Sequence, residues 1–394
     1  MRSEFLPYCR PAIDADDIAT VASSMQRGWL TTGPAVNELE NAIAAASGIK
    51  HAVALNSCTA ALHLGLIALG VGHGDEVVMP SLTFVAGAQC ARQLGAVPVF
   101  CDVDPATLSV SVETIDKVVT DRTKVIMPMH YGGRPAPMKQ IVAYARSKGI
   151  KVLEDAAHAL GTLYEGEWPG VFSDAAAYSF YPTKNITTGE GGILLTNADA
   201  LMERVRMLAL HGMDRDAWKR YTRGGKWRYD VVATGYKYNM PDMAAALGCS
   251  QLRKLESLQK SREQLARQYI DGLHDLPGIR CASQFLDPPS RHSWCMFVVL
   301  VDEEQAGISR DALIDRLQEA NIGTSVHYIP THLFSAYRDT PHAPLPVTDA
   351  VWPQLLSLPL YPGLTAADVN DVIGTLRSIL SDAVRSTAIA TIRV

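Results

Sequence analysis

Lys151-Val152-Leu153-Glu154-Asp155-Ala156-Ala157-His158-Ala159 decides how this chain is read. An apolar run ends on a carboxylate, Asp155. A buried strand that delivers a carboxylate at its C-terminal end puts that group where open α/β sheets bind ligands. A buried charge needs a partner. Asp155 therefore marks either a helix cap or scaffold ion pair, or the place of a positively charged ligand group such as a protonated ring nitrogen. His158, one short turn later, faces the same ligand or is an ordinary core histidine.

Outward from this stretch, β-rich runs alternate with amphipathic ones. His51–Leu55, Glu76–Met79, Val97–Cys101, Lys124–Met127 and Lys151–Glu154 read as strands. About Thr59 to Leu69, Phe84–Leu94, Val112–Val119 and Met138–Lys148 read as the helices between them. Strands separated by helices of about ten residues imply parallel βαβ units. Ala175–Phe180 and Gly192–Thr196 add two strands, close enough for one antiparallel pairing. The expectation is an α/β fold with a mostly parallel seven-stranded sheet. Asp242 to Leu273 is almost uninterrupted helical sequence, with Leu247, Leu252, Leu255, Leu258 and Leu265 near helical spacing. It reads as a connector between a large domain, residues 1–250, and a smaller C-terminal α/β domain, residues 251–394. In the latter, Trp294–Val301 reads as a strand, Ser309–Ala320 as a helix capped by Ser309, and Ala366–Leu380 as a further helix. The residues after Ser381 read as a loosely held tail.

The 394 residues are 47% hydrophobic and 20% charged, which describes a globular chain with a sizeable core. Lys plus Arg is 36 against 41 for Asp plus Glu, a net charge of −5, so no basic surplus serves a nucleic acid. Seven cysteines, an odd number without a Cys-x-x-Cys pair, argue against a disulfide framework or a zinc cage and for a reducing compartment. No metal site is expected. The first residues, Met1 to Pro7, lack the apolar run of a secretory signal, and the most apolar stretch, Ala60–Gly72, is too short to span a bilayer. A cytoplasmic protein without membrane contact is expected.

Two further stretches carry chemistry. Asn56-Ser57-Cys58-Thr59-Ala60-Ala61 leaves a strand and opens a helix, whose first N–H groups and dipole suit a phosphate. Simple capping by Ser57 is the alternative. Ser179-Phe180-Tyr181-Pro182-Thr183-Lys184-Asn185 leads, through Ile186 to Thr188, into the Gly-rich turn Gly189-Glu190-Gly191-Gly192. A lone lysine is ordinarily a solvated surface group. Between two strands that read as buried, Lys184 is instead desolvated, and a desolvated amine is a nucleophile able to form a Schiff base. A phosphate-holding helix start, a carboxylate for a ring nitrogen and such a lysine are together the equipment for pyridoxal 5′-phosphate.

More motifs follow in a fixed order: Gly28-Trp29-Leu30-Thr31-Thr32-Gly33-Pro34, Gly74-Asp75-Glu76-Val77, Pro80-Ser81-Leu82-Thr83-Phe84, Gly235-Tyr236-Lys237-Tyr238-Asn239 and His327-Tyr328-Ile329-Pro330-Thr331-His332. With the stretches above, they make the chain resemble the DegT/DnrJ/StrS family of sugar aminotransferases over nearly its whole length. That family has the aspartate-aminotransferase (type I) pyridoxal-phosphate fold. The resemblance implies Lys184 as Schiff-base lysine and general acid/base, Asp155 on the pyridine nitrogen and Phe84 stacked on one ring face. It implies Thr59, the Cys58 amide and Ser179 on the phosphate, and His158 near the ring oxygen. Asn239 is similar to a residue that reaches the phosphate of a neighbouring subunit, which implies a homodimer with shared active sites. Trp29, Thr31, Tyr181, His327 and Tyr328 are implied to meet substrate. Without the family, Phe84 and Tyr328 read equally well as core packing.

Two positions depart from the family's commoner pattern. Cys58 stands where Gly or Ala is usual, and His158 replaces a more frequent Gln. That His occurs in the branch acting on 4-keto sugars of UDP-linked substrates. The implied reaction moves the amino group of L-glutamate to a nucleotide-linked keto sugar, a 4-keto sugar by this sign, and leaves 2-oxoglutarate. A cyclitol aminotransferase acting on a keto-inositol carries the same cofactor motifs. The sugar 3-dehydratase branch has His in place of the lysine, so Lys184 argues against it. A non-catalytic regulator on this fold would have to keep the whole pocket unused.

Overall fold

The computed structural model describes residues 2–213 and 229–392. The first part runs α1 (Ala15–Gln26), α2 (Pro34–Ser47), β1 (His51–Leu55), α3 (Cys58–Ala68), β2 (Glu76–Pro80), α4 (Ala86–Gln93), β3 (Val97–Cys101), α5 (Val112–Asp116), β4 (Thr123–Ile126), α6 (Met138–Ser147), β5 (Lys151–Asp155), β6 (Ala175–Ser179), β7 (Gly192–Thr196) and α7 (Asp199–Leu208). The second runs α8 (Asp242–Arg253), α9 (Leu255–Leu273), β8 (Ile279–Cys281), β9 (Phe297–Val301), α10 (Glu303–Ala306), α11 (Arg310–Glu319), α12 (Pro346–Val351), β10 (Leu355–Leu358) and α13 (Ala366–Ile392).

The seven expected strands form one sheet in the order β1-β7-β6-β5-β4-β2-β3. Only β7 runs against the rest, antiparallel to both β1 and β6, while β6 to β3 pair in parallel. The register places the site. Gly192 lies opposite Leu55 on one side and Ser179 on the other. Asp155 lies opposite Ala177, two residues before Ser179. The segments that leave β1, β5 and β6 therefore open on one edge, at the C-terminal ends of the parallel strands, where such sheets take ligands. Helix α3 leaves β1 there with Ser57 as its N-cap, the hydroxyl accepting from the Ala60 N–H at 3.0 Å. Leu62, Leu64 and Leu66 on it are all but fully buried against the sheet and α4, and each contributes about 1.5–3 kcal/mol.

The second sheet is antiparallel, in the order β10-β9-β8. It packs with α9, α11 and α13 around Leu265, Tyr269, Phe297, Val299, Leu356 and Leu376. Leu6 belongs to the same cluster: its N–H donates to Asn321 O at 2.8 Å, and Gly323 N–H donates back to Leu6 O at 2.8 Å. The first residues thus lie on the C-terminal unit although the sequence reading counts them with the large one.

Three details differ from the sequence reading. The long helix breaks at Lys254, because α8 packs on α1 and α2 while α9 packs on α13. The Lys254 ammonium fixes the break against Asp14 and Asp17, at 2.7 and 2.6 Å. Trp294 does not begin a strand: it sits at φ 49°, in the left-handed region, and β9 starts at Phe297. Helix α13 continues past Ser381 to Ile392, since nothing from Asp382 to Ile392 is a Gly or Pro that would end it. The last two residues of the expected tail lie outside the described residues. Among the described residues no helix is long and apolar enough to cross a membrane.

Gly192 is where the two halves of the cradle touch. A Cβ there would run into the Cys58 nitrogen and lie 2.5 Å from the Ser57 carbonyl carbon, both backbone atoms that cannot rotate away. Gly192→Ala is expected to cost about 1–3 kcal/mol in denaturant unfolding. A loss below about 0.5 kcal/mol, the scale of an ordinary surface change, would refute that close approach.

Candidate active site

A cavity of about 460 Å³ opens on this edge. Its floor comes from β5 and β6 with Asp155, Ser179 and Lys184. One wall is the start of α3 with Cys58 and Thr59, and another is Phe84, two residues before α4. His158, Tyr181, His327 and Tyr328 complete it. Ten of the thirteen residues singled out from the sequence meet here.

Asp155 is 5% exposed. Its carboxylate accepts from the Ala157 N–H at 3.1 Å, and its own backbone is fixed by Pro128 O and the His130 N–H. Burial pushes the carboxyl above its ordinary value, while the Ala157 N–H, Lys184 and His130 pull the other way. One residue earlier, on the opposite face of β5, Glu154 and His130 are fully buried and 2.7 Å apart. His130 Nδ1 accepts from the Ala136 N–H, so Nε2 donates to Glu154. Gly170 N–H and Ser173 Oγ–H also donate to Glu154, at 2.7 and 2.5 Å. The pair stiffens the strand end that bears Asp155. Sequence reading missed it, although a second carboxylate beside Asp155 on an otherwise apolar strand was the available signal.

His158 is 1% exposed. Its Nε2 is 2.9 Å from the Tyr328 hydroxyl, and its Nδ1 is buried without a partner. Burial, with Lys184 and His327 nearby, holds the ring well below the usual histidine range. His327 Nδ1 is 2.8 Å from Ser357 Oγ, and the Tyr131 hydroxyl donates to its carbonyl. Burial, helped by Lys184, lowers His327 to about 4. Both rings are neutral near pH 7. The Phe84 ring is half exposed at the cavity wall, 5.7 Å from the Tyr328 ring, so one apolar face is free for stacking.

Lys184 is half-buried at the cavity, in a turn closed by its N–H on Tyr181 O at 2.9 Å. Ser57 does cap α3, so its hydroxyl is engaged; the Thr59 side chain remains for a ligand, and Ser179 Oγ, which accepts from the Tyr181 N–H at 3.3 Å, still has its own proton to donate. The Cys58 thiol lies 3.6 Å from Ala177 O, and burial and Asp155 raise it well above its ordinary value; it is no nucleophile. Asn239, Thr31 and Trp29 do not line the cavity. They gather at the start of α2 instead. Asn239 Nδ2 donates to Thr32 Oγ1 at 2.7 Å, the Asp242 N–H donates to Thr31 O at 3.1 Å, and the half-exposed Trp29 leans on Gly33. Met129, Thr183 and Glu190 line the cavity unforeseen as site residues.

These residues fit pyridoxal 5′-phosphate. The first turn of α3 suits its phosphate. A buried carboxylate suits a protonated ring nitrogen, a half-exposed aromatic suits the ring face, and the orphaned His158 Nδ1 suits a ring substituent. Lys184 brings an amine to the same cavity, which suits the cofactor's aldehyde.

The profile of the DegT/DnrJ/EryC1/StrS aminotransferase family matches residues 11–377. The spore coat polysaccharide biosynthesis protein SpsC of Bacillus subtilis (strain 168) is 45% identical over 386 residues, 97% of this chain and 99% of that protein. The crystal structure of DesI in the presence of its TDP-sugar product is 31% identical, covers 99% of this chain and 96% of that one, and superposes with a TM-score of 0.88. The PLP form of the putative sugar aminotransferase Spr1654 from Streptococcus pneumoniae is 29% identical, with 96% and 99% covered and a TM-score of 0.88.

The electrostatics of Asp155 give a signed prediction. A carboxyl raised in the folded state contributes stability that is full below the unfolded carboxyl value, about 4, and lost as pH rises through the folded value. The cofactor-free protein is therefore penalised by Asp155 near neutral pH. Asp155→Asn is expected to leave that form at least as thermostable as wild type at about pH 8, with the advantage vanishing toward about pH 4. The same change should weaken cofactor binding about tenfold or more, by loss of a buried ion pair. Thermal scans over pH and cofactor titration check both; a variant less stable at pH 8 that binds cofactor as well as wild type contradicts the assignment.

Proposed function

The chain belongs to the DegT/DnrJ/EryC1/StrS aminotransferase family, and from that premise we propose that it transfers the amino group of L-glutamate to a nucleotide-linked 4-keto sugar. The enzyme is a pyridoxal 5′-phosphate-dependent sugar aminotransferase. The observation that carries the reading is the meeting of Asp155, Lys184, Phe84, His158 and the α3 start on one cavity. When bound, the cofactor supplies an aldehyde for the amine and a ring that takes up an electron pair.

On this reading each residue of the cavity has a role that its geometry supports. The first-turn N–H groups of α3, with Thr59 and Ser179, hold the phosphate. Asp155 would hold a proton on the ring nitrogen, a positive partner that its buried carboxylate otherwise lacks. Phe84 would cover a ring face and, with Tyr328, would keep water off it. Lys184 Nζ takes the proton from the α-carbon of the amino donor and returns one during the second half of the exchange. His158 Nδ1 would meet a ring substituent of the cofactor, while neutral His327 offers Nε2, an uncharged ring nitrogen that suits a sugar hydroxyl better than a charged ring would. The DesI complex with a TDP-sugar and the polysaccharide role of SpsC support a nucleotide-linked sugar as acceptor. The cluster of Asn239, Thr31 and Trp29 outside the cavity supports a homodimer in which these residues serve the partner's site.

Purified holoenzyme tests this directly. L-Glutamate should abolish the visible absorbance of the Lys184-bound cofactor, and nucleotide-linked 4-keto sugars should restore it where 3-keto sugars do not. Restoration by keto-inositols alone would make it a cyclitol aminotransferase. A spectrum deaf to every donor and acceptor would make it a non-catalytic member. Lys184→Ala should bind cofactor and lose at least about 100-fold in kcat.

A further inference from the structure

Arg262, on α9, is 2% exposed, and among the described residues its guanidinium donates to no carboxylate. Its guanidinium bonds only to backbone carbonyls: Nη1 donates to Trp294 O at 3.2 Å, Cys295 O at 3.4 Å and Leu360 O at 3.1 Å, and Nη2 donates to Lys184 O at 3.4 Å. Its Nε is buried without a partner. A buried charge without a counter-ion is expensive, and simple packing of α9 onto the second sheet would be served as well by a leucine or methionine. The guanidinium instead spends its donors on four carbonyls from three chain segments, and one of the four belongs to Lys184.

The segment from His292 to Cys295 that Arg262 grips is itself tied to the cavity. Asn185 Nδ2 donates to Ser293 O at 2.8 Å, and Ser293 Oγ donates to His158 O at 2.7 Å. Trp294 is held there at φ 49°, a conformation that a bulky side chain rarely adopts and that persists only where surroundings over-determine it. Stacking on His292, with ring centroids 4.1 Å apart, is part of that surrounding.

We propose that Arg262 is a positioning residue for transamination: with Asn185 it locks the backbone of Lys184 to the His292–Cys295 segment, and so sets where the Lys184 amine stands relative to His158 and Asp155. The inference rests on the reading of Lys184 as the reacting amine. Arg262 does not line the cavity. A lysine in its place keeps the charge but has one donor centre, and cannot reach carbonyls on both sides.

The test compares wild type, Arg262→Lys, Asn185→Ala and Tyr269→Phe. The last removes a bond from the same helix to Pro359 O at 3.0 Å, and leaves Lys184 untouched. Two quantities are read on the full chain: deuterium uptake by the peptide spanning residues 181–188, with and without cofactor, and the single-turnover rate with L-glutamate in the holoenzyme. Arg262→Lys and Asn185→Ala are expected to speed exchange in that peptide severalfold and to slow the single turnover about tenfold or more, with apparent glutamate affinity within about twofold. Tyr269→Phe lowers the melting temperature and changes neither quantity. Folded Arg262→Lys with unchanged exchange and a rate within about twofold of wild type overturns the proposal; should Arg262→Lys fail to fold, Asn185→Ala decides by the same limits. If wild type itself ignores glutamate, the aminotransferase reading has failed instead, and the exchange data alone decide the clamp.

Discussion

A carboxylate at the end of a buried strand raises the free energy of the fold unless something positive meets it. Asp155 is such a group, and it is placed with care. Its backbone is bonded on both sides, its oxygen takes one N–H, and Glu154, on the other face of the strand, is fully satisfied by His130, Gly170 and Ser173. The rest of the strand end is thus settled, and the unmet charge is confined to one spot that faces the cavity. The amine of Lys184 and the neutral rings of His158 and His327 are arranged around it. A second formal positive charge at either histidine would compete with a ring nitrogen for Asp155, and burial of both rings prevents that.

The sheet makes this arrangement possible through its one reversed strand. Because β7 returns antiparallel between β1 and β6, Gly192 stands level with both the exit to α3 and the exit to the Lys184 turn. A purely parallel sheet would need a crossover helix between β6 and its neighbour, and would carry Lys184 away from Asp155. The short return keeps lysine and carboxylate within one wall of the cavity. It also demands a residue without a side chain at position 192, since the α3 backbone passes directly against it.

The sequence was legible where local chemistry and period agreed. The strands of the main sheet, the helix starts at Ser57 and Ser309, the antiparallel return and most of the cavity wall follow from alternation, capping residues and the position of charged residues at strand ends. What it did not disclose depends on distant packing. The break at Lys254 comes from two different partners for one amphipathic run. The left-handed Trp294 is imposed by contacts with His292 and Arg262, against its own preference. The Glu154–His130 pair and the grip of Arg262 on Lys184 join residues 24 and 78 positions apart, and no periodicity announces such pairs. Short elements such as α12 and β8 carry too few residues to show a period at all.

The cations around the cavity bear on how many chains make one site. Among the described residues lining it, Lys184 is the one lysine and there is no arginine. Yet an amino donor such as glutamate carries two carboxylates, and a nucleotide-linked sugar carries a diphosphate. In the proposed reaction Lys184 is the reacting amine, and it would not also anchor these anions. With those substrates, their counter-charges would come from outside the wall that this chain builds for itself. Asn239 and Lys237 are bonded to one another beside Thr32, at the start of α2, off their own chain's cavity. A second copy that brought this cluster to the open side would add both a cation and an amide there. The same geometry would account for Trp29, 45% exposed on an isolated chain: in the proposed homodimer an exposed indole beside polar groups would be covered by the shared active site.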